Sequence, residues 1–371
     1  HQQSLSIKRE IGDRQGEAIC LGNLGLAYNS LGEHQQAIGF YQQSLEIIRV
    51  IGYSQGEADV LRNMGSTYLA LNSFPEAEAN FLEAVAVLED LRDTELSDAD
   101  KVSFFEIQAK TYKGLEQTYI LQSQPEAALE IAERGRARAF VDLLTKRLSR
   151  QQAEAVSSEP PDFTAIQQIA RNQQSVLVEY SFINVGPESP SLYIWVIQPS
   201  GQIDFRKVNL DEEDIDLSSL VIRSREAIGV RHRGGFLPSS HIINKTEQLR
   251  QLHQLLIEPI AEHLPDAPDQ RVTFIPQGEL FLVPFPALID ANGDYLIENH
   301  TISTSPSIQA LDLTQRQKLA LQSTQNNSAN SVLVVGNPDM PEVWNPEMSQ
   351  SEQLADLPGA KREAEAVADF L

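Results

Sequence analysis

Moved forward by 40 positions, the first 31 residues, HQQSLSIKREIGDRQGEAICLGNLGLAYNSL, align with YQQSLEIIRVIGYSQGEADVLRNMGSTYLAL, and 17 of the 31 are identical. An internal period of this size restricts the chain to a stacked-repeat architecture, because each unit has an apolar face that only a neighbour can cover. Within the first unit, apolar and small residues fall at helical spacing: Leu21, Leu24, Gly25 and Tyr28, then, after Gly32-Glu33, Ala37, Tyr41, Ser44 and Leu45. The second unit repeats this with Leu61, Met64, Gly65 and Tyr68, then Ala77, Phe81 and Ala84. Two antiparallel helices per unit follow. Glycine inside a helix costs about 1 kcal/mol against alanine, so Gly25 and Gly65 are expected where helices approach closely. Tyr28, Tyr41, Tyr68 and Phe81 are expected to be buried between them. A more divergent pair continues the array with a stripe of Val102, Phe105, Ala109, Tyr112, Leu115 and Tyr119, then a long helix through AALEIAERGRARAFVDLL.

The grammar changes after SRQQAEAVSSEPPD, residues 149–162, whose Ser-Ser and Pro-Pro pairs break any helix and mark a linker. Beyond it, SVLVEYSF, LYIWVI, IDFRKV, RVTFIP and SVLVVG are short strand-like runs. They are mixed with helical stretches such as KTEQLRQLHQLLIEPIAEHL, so this half is α/β. Gln198-Pro199-Ser200-Gly201 predicts a hairpin between two strands, and Asp290-Ala291-Asn292-Gly293 a turn.

Charge narrows the partners. The 52 acidic residues outnumber 29 basic ones, and the net charge of −23 repels phosphate backbones and anionic lipid. Nucleic acid and membrane are therefore excluded as default partners, and no apolar run reaches the roughly 20 residues of a membrane span. A single cysteine, Cys20, leaves no internal disulfide framework or multi-thiolate zinc site, which fits the cytosol. Its place on the first helix of a repeat, opposite Val60 of the next, predicts a buried, inert thiol. No two histidines have the spacing of a helical zinc pair. His253 and His263 are expected on one helix at its apolar-to-polar boundary, and His300 at a strand edge. No metal or cofactor is expected. Val332-Leu333-Val334-Val335-Gly336 enters a glycine as dinucleotide sites do, but the remaining glycines are absent and Pro338 deletes an amide. The basic cluster Arg134, Arg136, Arg138, Lys146, Arg147 and Arg150 is read as a solvated face near a helix C-terminus rather than an anion site.

The Leu-x-x-Leu-Gly-x-x-Tyr, Ala-x-x-x-aromatic pattern over Gln15 to Glu89 resembles the tetratricopeptide repeat in a 40-residue version. That resemblance implies a superhelix whose concave groove binds a protein or peptide. In binders of peptide termini an asparagine commonly sits two residues before the helix glycine, a position matched by Asn23 and Asn63. Their amides either pair with the backbone of an extended peptide or solvate the groove without a ligand, and Arg62 is placed to meet an acidic side chain. The counterpart of Arg62 in the first unit is Gly22, so no basic clamp repeats.

Together with these repeats, AERGRARAFVDLL, SVLVEYSF with LYIWVI, RVTFIPQGELFLVPFPALID, YLIENHTISTSPS, SVLVVGNP and LPGAKREAEAVADFL resemble a bacterial CHAT-domain protein, of the caspase-like and separase-like group. The resemblance implies a multidomain chain: an all-α tetratricopeptide solenoid over 1–148, a linker over 149–162, and an incomplete caspase-like α/β domain over 163–371. The family's catalytic residues are a histidine in a His-Gly pair and a cysteine after the next strand. Neither occurs here, and both would be expected beyond residue 371, which fits ends that read as cut: His1 without a methionine, and Leu371 inside a helical pattern. The parent is thus expected to be a cysteine endopeptidase whose repeats bind a partner, with a non-enzymatic scaffold as the alternative.

Overall fold

The computed structural model describes residues 2–92, 98–136, 159–183, 190–210, 216–228, 245–324, 342–345 and 350–353. The chain divides into two compact units, His1–Gln317 and Lys318–Leu371.

The first unit begins with the helical array: α1 (Gln2–Glu10), α2 (Arg14–Ser30), α3 (His34–Ile51), α4 (Ser54–Ala70), α5 (Phe74–Arg92), α6 (Asp98–Leu121) and α7 (Pro125–Gly135). The 40-residue period is visible as α2 with α3, then α4 with α5. Asp13 caps α2 by accepting the Gly16 amide, and Gly52 ends α3 in the left-handed region. Tyr41 and Phe81 are wholly buried, while Tyr28 and Tyr68 are half-buried against the same core. The helix glycines account for this packing. A side chain on Gly25 would collide with the Tyr41 ring, and a Cβ on Gly65 would lie 2.9 Å from the Phe81 ring, which also presses on Gly114. In α6, Tyr112 and Leu115 are buried but Ala109 is exposed, because Gln108 and Thr111 turn inward instead. Tyr119 is half-buried, and the side chains of Val102 and Phe105 lie outside the described residues.

The same unit holds a five-stranded mixed sheet in the order β3-β2-β1-β4-β5. Its strands are β1 (Ser175–Ile183), β2 (Ser191–Ile197), β3 (Ile203–Asn209), β4 (Arg271–Ile275) and β5 (Thr301–Thr304). β1 to β3 form an antiparallel meander, with the expected hairpin at Gln198–Gly201, and β1, β4 and β5 run parallel. β1 and β2 are buried on both faces, and their period of two assigns side chains to opposite cores. Val176, Val178, Tyr180, Ile194 and Phe274 pack with α9 (Leu217–Ala227) and α10 (Lys245–Leu256). Leu177, Tyr193, Trp195 and Ile197 face the other way, onto α8 (Phe163–Gln173) and Ala128 and Leu129 of α7. The last repeat helix is therefore part of one layer of the α/β sandwich, and Trp195 Nε1 donates to the Pro125 carbonyl at 2.8 Å.

Two sequence expectations are corrected. α7 stops at Gly135, with Arg136 extended (φ −90°, ψ 148°), instead of continuing through the arginines. The stretch 245–263 is not one helix: Pro259 lacks the amide an α-helix needs, so α10 ends at Leu256 and a 3-10 segment carries Glu258–His263. The strand expected at Val332–Val335 lies outside the described residues, as do Arg138, Lys146, Arg147 and most of the linker. After α11 (Leu296–Asn299), α12 (Ile308–Thr324) reaches into the second unit. That unit contains an antiparallel pair, β6 (Glu342–Asn345) with β7 (Gln350–Gln353).

Candidate functional site

The first helices of successive repeats, α2 and α4, bring Asn23 and Asn63 into one pocket of about 300 Å3. Ile19 and Leu26 of α2, Tyr53 before α4 and Asp59 of α4 line it with them. Ile19, Asn23 and Leu26 follow one another at i, i+4 and i+7, so a single stripe of α2 presents two apolar side chains around an amide. Both apolar residues are exposed, at 47% and 41%. Asn63 is buried at the pocket floor and Asn23 half-buried, and neither side-chain amide has a hydrogen-bond partner among the described residues. Arg62 behaves differently from a free clamp. Its Nη2 donates to Asp59 Oδ1 at 2.6 Å, one turn away on α4, so its charge is already engaged and it is Asp59 that faces the pocket.

The thiol and imidazoles do not assemble a catalytic pair among the described residues. Cys20 is buried among Leu21, Leu24 and Val60, with the Ser4 hydroxyl 3.3 Å from its Sγ. His300 stands immediately before β5, and burial pushes its imidazole below the usual range. Burial does the same to His253 on α10, whose Nδ1 is 3.9 Å from Glu258. His263 Nε2 lies 2.6 Å from the Arg206 guanidinium and 3.3 Å from Glu262 Oε1, and its Nδ1 lies 3.5 Å from Asp204.

A second polar cluster, where α6 and α7 meet the sheet, was not anticipated. Arg136 is 5% exposed: its Nε donates to Glu179 Oε1 at 2.8 Å, Nη1 to the Pro276 carbonyl at 3.2 Å, and Nη2 to the Tyr180 carbonyl. The expected solvated basic face is thus overturned at Arg136, because the break after Gly135 turns this side chain into the sheet. Arg134 pairs with Glu89 of α5. Glu133 accepts the amides of Ile308 at 3.0 Å and Gln309 at 3.2 Å, capping α12 from a helix 175 residues earlier. Lys113 of α6 donates to the Phe182 carbonyl at 2.9 Å. Burial raises the Glu116 carboxyl to about 7, and raises Glu179 well above its usual range, assisted by the neighbouring Glu133. One signal in the sequence pointed here: Glu179 is the lone charge in the otherwise buried strand SVLVEYSFI.

Comparison with known proteins finds two families in the chain. The tetratricopeptide repeat family model matches residues 1–49 and 31–90, and the CHAT domain model matches residues 246–371. The chain therefore combines an N-terminal tetratricopeptide repeat region with a CHAT domain. It is similar to Tetratricopeptide repeat protein 28 of Homo sapiens and of Mus musculus, in each case 25% identical over 402 residues and 80% of this chain. The chain spans 16% of the length of these relatives. Among the described residues, no helix is long and apolar enough to cross a membrane.

Proposed function

We propose that the pocket between α2 and α4 receives an extended segment of a protein partner. Asn23 and Asn63 hydrogen-bond the ligand backbone, Ile19 and Leu26 take an apolar side chain, and Asp59, steadied by Arg62, faces a basic or polar one. The observation that carries this reading is the pair of unpartnered amides one repeat apart, set beside exposed apolar groups in one pocket. An extended peptide needs such spaced donors and acceptors, because its own backbone groups are unpaired. A cytosolic setting and a protein partner, rather than nucleic acid or membrane, fit the net charge of −23.

In the same proposal, 1–148 is the recruiting solenoid, 149–162 the linker and 163–371 part of a caspase-like domain. The parent is a cysteine endopeptidase with its histidine and cysteine beyond residue 371. The scaffold reading has its own support, since the single thiol, Cys20, is buried in the repeats and suits packing rather than attack. A peptide-library selection against the chain tests recruitment. Selected ligands should lose affinity with Asn63→Ala and with Ile19→Asp, and equal binding by both variants would remove the groove from the account. Extending the chain past residue 371 tests the chemistry: peptide hydrolysis abolished by changing a downstream cysteine supports the peptidase, and a downstream sequence without a His/Cys pair supports the scaffold.

A further inference from the structure

The contact between α7 and β1 poses a charge problem. Three buried carboxyl groups, Glu116 of α6, Glu133 of α7 and Glu179 of β1, face two cations, Lys113 of α6 and Arg136 at the end of α7. Glu279, on the 3-10 segment after β4, adds a weaker influence on Lys113. The Tyr180 hydroxyl, on the opposite face, is occupied with the Leu256 carbonyl. Burying an uncompensated charge is costly, so three carboxyl groups facing two cations favour the uptake of protons.

Burial also raises Glu116, whose Oε1 has no partner, but only Glu133 and Glu179 connect α7, β1 and α12 through Arg136 and the α12 amides. Glu133 receives two backbone amides at the start of α12, which favours its ionised form. Glu179 Oε1 is taken by Arg136, whereas its Oε2 is fully buried with no donor of its own, and Glu133 is the neighbouring carboxyl that acts on it. A proton on Glu179 Oε2, donated to Glu133, gives the orphan oxygen a role and removes the repulsion between the two carboxylates.

We infer that Glu133 and Glu179 share one proton, and that this pair with Arg136 is a latch joining the last repeat helix to the sheet and to the first turn of α12. Removing the proton sets two carboxylates against each other, draws α7 from β1 and takes the cap from α12. The latch is thus closed at lower pH and opens as pH rises.

Hydrogen exchange of the whole chain reads this directly at the Ile308 and Gln309 amides, corrected for the intrinsic effect of pH and referenced to α4. The wild type should lose protection there as pH rises. Glu179→Gln, a permanently neutral donor, should hold protection level across the same range, and Glu133→Ala should lower it at every pH, on the order of tenfold for a lost helix cap. Should Glu133→Ala fail to fold, Glu133→Gln serves in its place, with one acceptor left for two amides and a smaller loss of the same sign. The inference is overturned if Glu179→Gln follows the wild-type pH profile, if it unfolds where the acid form is stable, or if the Glu133 variants leave these amides fully protected.

Discussion

In the groove, Asn23 and Asn63 keep unpartnered amides beside exposed Ile19 and Leu26, whereas at the α7 to β1 contact Arg136, Glu133 and Glu179 turn charged groups onto one another behind a closed surface. The first arrangement forgoes internal hydrogen bonds that a ligand can supply. The second makes almost all of them within the chain, so its polar groups serve the position of one element against another. Polar residues in a repeat array are thus informative by what they lack. An open amide beside apolar surface is what the proposed recognition requires, and a charge with three internal acceptors is what a joint requires.

Breaking the joint should have the largest effect. Arg136→Ala leaves Glu179 without its cation and the Tyr180 and Pro276 carbonyls without a donor, which should cost about 3–5 kcal/mol in denaturant unfolding, as for other buried pairs cut on one side. Phe81→Ala should match it, at about 3–5 kcal/mol, through loss of the ring wedged against Gly65 and Gly114. A loss under 1 kcal/mol for Arg136→Ala would mean that the cluster is open to water and that the contrast with the groove is false.

Acidity sharpens the same comparison. The Glu116 carboxyl is raised in the folded chain to about 7. Its stabilising contribution is therefore present below the unfolded value near 4.5 and is lost as pH rises through about 7. Melting temperatures should carry this decline, and Glu116→Gln should flatten it between those limits. Asp13 and Glu17 act in the opposite sense. Hydrogen bonds from Lys8 to Asp13 and from Arg9 to Glu17 hold both carboxyls below their usual range, so their contribution is lost as pH falls. A smaller effect is expected at Trp195→Phe, which deletes the bond to Pro125 and should cost about 1 kcal/mol. Asn63→Ala removes an amide with no internal partner and should change stability least of these.

The repeats were legible because 17 coincidences in 31 positions, together with the glycines facing Tyr41 and Phe81, encode packing locally. The groove positions followed from the same register, which sets Asn23 and Asn63 40 residues apart. Arg62 was not legible in the same way: its i to i−3 pairing with Asp59 competes with any ligand, and spacing to the glycine does not reveal it. The joint was harder still. Glu133 meets Ile308, and Arg136 meets Pro276, across separations of 175 and 140 residues, and no local pattern reports such contacts. Reading Arg136 as part of a solvated face failed because periodicity assumes that the helix continues, whereas the chain leaves the helix at Gly135.

The central claim is that Asn23 and Asn63 together grip a peptide backbone. Nuclear magnetic resonance of the 15N-labelled chain, titrated with a peptide selected for binding, tests it at the atoms concerned. The account predicts that the side-chain amide signals of Asn23 and Asn63 move together and saturate at one peptide concentration. Those of Asn29, tied to His34, and of Asn72, in the turn after α4, should remain in place. Saturable binding that leaves both groove amides unmoved would contradict it.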